Sequence, residues 1–190
     1  MIDELKEHLG RDSGLILVST LPGDGLTTFY RGVLDAFDRF MRDYYSIEEV
    51  NRVEDEVINV NPITFDESAG QTSRSAVVEL LLKEPDVLVF PEIPDGETFD
   101  YYCDLANEHE KLVLARIPAK NSVEAILRVM ALKPTLSKFA QALLCVTYQR
   151  TIRRLCEKCR QPFSPPPQLL QQMGLPPGRV QSLYNHTQPP

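Results

Sequence analysis

The chain has 190 residues, 43% of them hydrophobic, a formal charge of -7 and an isoelectric point near 5.0. That length suffices for one medium-sized domain with a real core and a short appendage, and not for two full domains. The acidic balance offers no broad basic field for a phosphate backbone, which argues against nucleic acid as the main partner.

The segment Met1–Leu9 carries Asp3, Glu4 and Glu7 and no apolar stretch of signal-peptide length. Nowhere does an apolar run reach the roughly eighteen residues of a membrane span, so no transmembrane segment is expected. Four cysteines, at 103, 145, 156 and 159, are too few and too unevenly spaced for a secreted disulfide framework. A reducing, cytoplasmic location fits better.

Gly14–Val18 is a short apolar run of strand length. From Thr27 to Tyr44, residues Tyr30, Val33, Leu34, Phe37, Met41 and Tyr44 recur at spacings of three and four, which predicts an amphipathic helix. Strands are expected over Tyr45–Val50 and Glu56–Val60, and a loop over Pro62–Gly70. Ser73–Lys83 reads as a helix with Val77, Leu80 and Leu81 inward, stopping before Pro85. Asp86–Phe90 is apolar throughout its interior, as strands buried on both faces are.

Glu97–Glu108 is expected to be helical, Lys111–Ile117 a strand, and Ser122–Leu132 a helix capped by Ser122. Ala140–Tyr148 passes from the end of a helix into a last strand. Phe29, Tyr30, Phe37, Phe40, Tyr44 and Tyr45 follow helical spacing without interleaved basic residues. They read as a core stripe and not as a base-stacking platform. Such alternation implies an α/β fold with a mostly parallel sheet covered by helices. From Pro162 onward, Pro165–Pro167, Pro176–Pro177, Pro189–Pro190 and many glutamines suggest a loosely ordered extension. The expected division is a domain over 1–163 and a Pro/Gln-rich tail over 164–190.

The stretch from Thr20 to Thr28 has the outline of a phosphate-binding loop between a strand and a helix. In the pattern G-x-x-x-x-G-K-[ST], backbone N–H groups cradle phosphates, the lysine reaches the outer phosphates and the hydroxyl holds magnesium. Here the first glycine is Thr20, the second is Gly25, the lysine position is Leu26 and the hydroxyl survives as Thr27. Taken alone, Pro22–Gly25 favours a plain tight turn, with Gly23, Asp24 and Gly25 chosen for turn geometry and Leu26, Thr27 and Thr28 opening the helix.

Four segments in order resemble the ATPases of type II secretion and type IV pilus assembly. Gly14–Ser19 is similar to the strand entering that family's phosphate loop, and Ser46–Val50 to its acidic box, placing Glu48 and Glu49 there. Glu84–Thr98 is similar to its second nucleotide motif, which puts Glu92 where the family's carboxylate polarises water or helps hold magnesium. Gln149–Cys159 resembles its closing Gln-Arg-Leu-Val-Arg-Arg-Leu-Cys-x-x-Cys. The resemblance spans residues 14 to 163 and implies a three-layer, RecA-like P-loop NTPase fold. The family's N-terminal domain has no counterpart before the first strand.

Departures from that pattern bear on function. The arginine of the family's Gly-Glu-Ile-Arg-Asp is Pro94 and its glycine is Pro91, and the two arginines preceding Asp-Pro-Asp fall on Val78 and Leu82, with Arg74 nearby. The family's histidine motif corresponds to Ala115–Lys120, so that its histidine is Pro118, and Arg116 and Lys120 are the basic residues left. Phosphoryl transfer depends on cations set against developing negative charge, and one arginine can be worth on the order of a thousandfold in rate. Glu92 reads equally as a catalytic carboxylate or a solvated strand-end acid. For Glu48 and Glu49 the plain strand-end reading is favoured, since Glu54–Glu56 offers a competing register.

Cys156 and Cys159 supply two thiols, whereas a closed zinc site needs four ligands; the family's second C-x-x-C is missing from the sequence, and zinc is disfavoured. Cys103 and Cys145 fit core positions, His186 falls in the tail, and His8 and His109 have no ligand-spaced neighbour and read as solvated. Arg150, Arg153 and Arg154 form a basic cluster suited to an acidic neighbouring surface. The expected function is a degenerate, inactive relative of these ATPases that acts as a scaffold or regulatory subunit. Its partner would be a working secretion ATPase or its own copies, with peripheral association to a secretion machine. The alternative is a protein that binds Mg-ATP, or hydrolyses it weakly, using Thr27, Glu92 and Arg116 or Lys120.

Overall fold

The structure is a computed structural model that describes residues 2–36, 40–176, 178 and 180–185. The chain divides into two compact units, Met1–Arg150 and Thr151–Pro190. The first is built on six strands, β1 (Gly14–Thr20), β2 (Tyr44–Glu49), β3 (Val60–Phe65), β4 (Val87–Phe90), β5 (Leu112–Pro118) and β6 (Leu143–Tyr148). They form one sheet in the order β3-β2-β4-β5-β1-β6, and every adjacent pair is parallel. Its helices are α1 (Ile2–Leu9), α2 (Leu26–Asp35), α3 (Ser73–Leu80), α4 (Gly96–Asn107), α5 (Ser122–Ala131) and α6 (Leu136–Ala142).

The central strands are apolar because helices cover both faces. Alternate residues serve opposite cores. Ile16, Val18, Val87, Val89, Leu112 and Leu114 meet Tyr30, Val33 and Leu34 of α2 and Leu9 of α1. Leu15, Leu17, Leu88, Phe90, Val113 and Ala115 meet Val77, Phe99, Tyr102, Ala125, Val129 and Phe139 of α3 to α6. Each fully buried aliphatic or aromatic side chain contributes about 1.5–3 kcal/mol, so these two layers carry most of the stability. The result is the α/β architecture with a parallel sheet that the alternation of elements predicts.

Four local expectations need correction. The strand expected over Glu56–Val60 instead starts at its last residue, Val60, and runs to Phe65, into the segment Pro62–Gly70 expected as a loop. Its alternating exposure and Pro62 belong to an edge strand, whose outer N–H groups need no partner. The helix from Leu26 stops at Asp35, and Tyr44 opens β2. Phe40 and Met41 are 82% and 79% exposed and form no core stripe, while Phe37 lies outside the described residues. Finally, α5 is capped by Asn121 and not by Ser122: the Asn121 side chain accepts from the Glu124 N–H at 2.8 Å. Such a cap is worth about 1 kcal/mol.

Two further caps position the site. Thr72 and Ser75 bond reciprocally at the start of α3, and Asp95 accepts from the Thr98 N–H at 2.8 Å at the start of α4. At Gly96 a Cβ would meet the Leu132 carbonyl oxygen at 2.1 Å, so only glycine lets the first turn of α4 approach the end of α5.

The second unit contains β7 (Gln161–Phe163) paired antiparallel with β8 (Leu183–Asn185), and α7 (Pro167–Gln172) between them in sequence. Pro167 opens α7, where its missing N–H costs no bond. The Arg160 guanidinium lies 4.4 Å from the Tyr184 ring centroid.

Candidate functional site

Two places at the carboxyl end of the sheet carry the residues singled out by the sequence. The first follows β1. Asp24 donates its N–H to the Leu21 carbonyl at 3.0 Å, and Gly23 and Gly25 sit at φ of +86° and +80°. These are left-handed conformations that glycine adopts without penalty. Gly25 is the N-cap of α2 and offers no side-chain acceptor, while Phe29 closes the first turn onto the Gly25 carbonyl at 2.8 Å. Leu26 is half-buried, and Thr27 and Thr28 are exposed. Helix N-termini carry about half a positive charge, yet no lysine or arginine lies between Thr20 and Thr28.

The second place is a cleft of about 380 Å3 outside the ends of β2 and β4. Topology creates it: β2 and β4 are neighbours, but β2 leads outward to β3 while β4 leads the opposite way to β5. The β2–β3 connection places Val57 on the α2 face, and α4 covers the other face. Such divergence opens a crevice beyond the strand ends, a common ligand site in open α/β sheets. The cleft is lined by Glu48, Glu49, Glu54, Glu67, Glu92 and Asp95, by Arg52 and Arg116, and by apolar walls including Ile47, Phe65, Pro91 and Tyr102.

Glu48 and Glu49 are buried, 6% and 7% exposed, at the end of β2. Glu48 accepts from the Ser46 hydroxyl and from the Glu54 N–H at 2.8 Å. Glu49 caps the turn at Val50–Arg52, accepting from the Asn51 N–H at 2.8 Å and from Asn51 Nδ2 at 2.9 Å. Both carboxylates are thus held by neutral donors within their own loop. Glu92 is half-exposed and meets Arg52 at 2.6 Å. That contact raises the Arg52 pKa, first through the charge of Glu92 and then through the hydrogen bond. An exposed pair of this kind is screened by solvent and contributes little to stability.

Arg116, from β5, is the better buried cation. It pairs with Glu54 at 2.7 Å, donates Nε–H to the Pro91 carbonyl at 2.9 Å, and stacks 5.4 Å from the Tyr30 ring centroid. Its Nε and Nη2 groups are thus both engaged within the fold. The Tyr102 hydroxyl donates toward Ser73 Oγ at 3.3 Å, and burial raises its pKa. Lys120 is exposed, and Arg74 lies 3.7 Å from Glu97 and over the Tyr101 ring at 5.0 Å. Val78 and Leu82 are exposed, 56% and 87%.

The structure therefore gathers Glu48, Glu49, Glu92 and Arg116 in one cleft, and residues 23–28 are not part of its lining. Sequence reasoning missed Arg52 as a partner of Glu92. The two are 40 residues apart, and Arg52 lies in an irregular segment without periodicity. Thr20 Oγ1 and the Tyr30 hydroxyl also escaped it: both are buried with no hydrogen-bond partner among the described residues, and burial raises the Tyr30 pKa.

The cysteines separate cleanly. Burial pushes the Cys103 thiol up to about 12 and Cys145 up to about 11; Cys103 is buried in the core, whereas Cys145 is half-buried and packs against it. Cys156 and Cys159 are exposed in one turn, and the Cys156 pKa is lowered by the N–H of Lys158, by the Cys159 thiol and by the Cys159 N–H. Two thiols do not close a tetrahedral zinc site, and among the described residues no group of three or more His, Cys, Asp or Glu side chains is placed to hold a metal ion. His186 lies outside the described residues. His109 is exposed, whereas His8, expected to be solvated, is half-buried, with its Nδ1 shielded and without a hydrogen-bond partner among the described residues.

Comparison with known proteins follows the same lines. Residues 1–186 match the model of a family described as type II/IV secretion system protein. The type IV pilus assembly ATPase PilB of Thermus thermophilus is 28% identical over 183 residues, covering 95% of this chain and 20% of that protein. Type II secretion system protein E of Klebsiella pneumoniae is 31% identical over 182 residues, covering 90% of this chain and 34% of the relative. The chain thus spans about a fifth to a third of these curated relatives. Among solved structures, the Legionella pneumophila ATPase DotB aligns with a TM-score of 0.60 at 14% identity, covering 78% of this chain and 43% of that one. The pilus retraction motor PilT with bound ADP aligns at 0.56 and 22% identity, covering 78% and 45%. These likenesses show a shared RecA-like fold. No helix among the described residues is long and apolar enough to cross a membrane.

Proposed function

The chain belongs to the family of type II/IV secretion system proteins, and from that premise we propose that it is a catalytically degenerate member acting as a scaffold or regulatory subunit. The observation that carries this reading is the helix start at Leu26. An apolar side chain stands where a phosphate loop needs a cation, and desolvating phosphate against it is costly. The remaining residues do not fit a magnesium-triphosphate group: Arg116 is engaged by Glu54 and the Pro91 carbonyl, and Arg52 by Glu92. Six carboxylates at the cleft oppose an anion.

In this reading the loop of Gly23, Asp24, Gly25, Leu26, Thr27 and Thr28 turns a strand into a helix and holds no nucleotide. Glu92 fixes Arg52, and Glu48 and Glu49 hold the β2–β3 connection. The protein works in the cytoplasm at the periphery of a secretion or pilus machine, through contact with a working ATPase or with its own copies. The loop and the cleft both lie in the first unit, and the second unit, from Thr151 onward, adds no catalytic group.

Binding of a fluorescent ATP analogue, measured with magnesium up to millimolar concentration, tests the reading, with hydrolysis followed in parallel. We expect no saturable binding and no phosphate release above background. Saturable binding competed by ATP would overturn it and favour a nucleotide-binding or weakly active ATPase.

A further inference from the structure

Cys156 and Cys159 lie in the second unit, outside the loop and the cleft, and the described residues bring no third ligand that would start a zinc site around them. A disulfide needs only two sulfurs. The Arg160 N–H closes the turn on the Cys156 carbonyl at 2.9 Å, and residues three apart across such a turn have Cα atoms within about 7 Å, near the upper reach of a disulfide. The Cys159 thiol already donates to the Cys156 sulfur, so the two sulfurs sit side by side. Both residues are exposed and open to a reagent from solution.

We propose that Cys156 and Cys159 form a reversible thiol–disulfide exchange site whose substrate is a small disulfide, R–S–S–R. The Cys156 thiolate attacks one sulfur of that substrate, forming a mixed disulfide and expelling the first R–S⁻. The Cys159 thiolate then attacks the Cys156 sulfur, forming the bond between the two cysteines and expelling the second R–S⁻. The protons given up by the two cysteines end on the two released thiolates, so the pair is oxidised and the small disulfide reduced. Cys156 attacks first because the Lys158 N–H, the Cys159 thiol and the Cys159 N–H all favour its thiolate and lower its pKa. Lys158 and Arg160 add positive charge on either side of Cys159. Cys103 is buried and Cys145 half-buried, and burial raises the pKa of each, so neither competes. In reducing surroundings the dithiol is the resting form, and the disulfide forms only as the small disulfide accumulates. The inference does not depend on whether the loop after β1 holds nucleotide.

The test incubates the full chain with oxidised glutathione at neutral pH, quenches it with iodoacetamide and maps the products by mass spectrometry. The expected product has lost two hydrogens, carries one bond between Cys156 and Cys159, and returns to the dithiol with dithiothreitol. Cys159→Ser keeps the attacking sulfur and removes the resolving one, so it should stop at the mixed disulfide on Cys156. Cys156→Ser should react at Cys159 at least about tenfold more slowly at neutral pH. Circular dichroism checks that both variants fold, and the mapping of the unsubstituted chain decides the matter even if one does not. Persistent mixed disulfides on both cysteines, bonds between chains, first reaction at Cys103 or Cys145, or equal rates in the two variants would each overturn the proposal. Protection of the pair by equimolar zinc chloride would also overturn it, by making the pair a metal site.

Discussion

The loop after β1 and the cleft after β2 and β4 lie at the same end of one sheet, yet they have been kept in opposite ways. The loop has backbone geometry without a cation: Gly23 and Gly25 hold left-handed conformations, and Leu26 begins the helix. The cleft concentrates charge: Glu48, Glu49 and Glu92 line it, and both arginines are bound to carboxylates. A turn needs only its φ angles and forms with or without a ligand. Buried carboxylates persist for a different reason, since Glu48 and Glu49 hold the chain that leaves β2.

If the cleft is structural in this sense, breaking it should cost stability. The largest effect is expected at Arg116, only 13% exposed in its side chain and paired with Glu54. Arg116→Met would strip the Pro91 carbonyl of its donor and leave Glu54 half-buried without a cation. A loss of about 2 kcal/mol is expected, below the full cost of a deeply buried pair because Glu54 keeps some solvent. Urea denaturation with and without the substitution measures it. A loss under a few tenths of a kcal/mol would show that Arg116 is spare, and so free to serve a ligand.

Much of this was legible in the sequence, for reasons that differ by element. The strands at Gly14–Thr20, Val87–Phe90 and Leu112–Pro118 are buried on both faces, and continuous apolar runs announce that state. Val60–Phe65 was not legible, because an edge strand tolerates Pro62 and exposes half its side chains. Of the site, the carboxylates could be named from pattern alone. Their partners could not: Arg52 with Glu92 and Arg116 with Glu54 are made by tertiary contacts over tens of residues. A lost cation can be read from a sequence, but a remaining cation's engagement cannot.

A smaller effect lies between the two regions, at Tyr30 of α2. Its hydroxyl is buried without a partner among the described residues, and burial raises its pKa above the usual value near 10. The folded state favours the neutral form, so this contribution is complete below about pH 10 and is lost as pH rises above it. Tyr30→Phe removes the unpaired hydroxyl and keeps the ring beneath Arg116. It should raise stability by about 1 kcal/mol at neutral pH and flatten the alkaline limb of the stability profile. A destabilised Tyr30→Phe would mean that the hydroxyl has a partner that matters, in the space between loop and cleft.

The smallest expected effect is the sharpest test of the comparison. Leu26→Lys restores the missing cation at a half-buried, first-turn position where leucine and lysine have similar helix propensity. A positive charge near a helix N-terminus is mildly unfavourable, so a loss of about 0.5 kcal/mol is expected. Phosphate release from Mg-ATP should stay at background, because Pro118 still stands at the family's histidine position and the cleft keeps its excess of carboxylates. Should Leu26→Lys instead bind ATP tightly, the loop would have preserved a working phosphate cradle that lacked one charge. The two regions would then differ by a single residue and not by the task each performs.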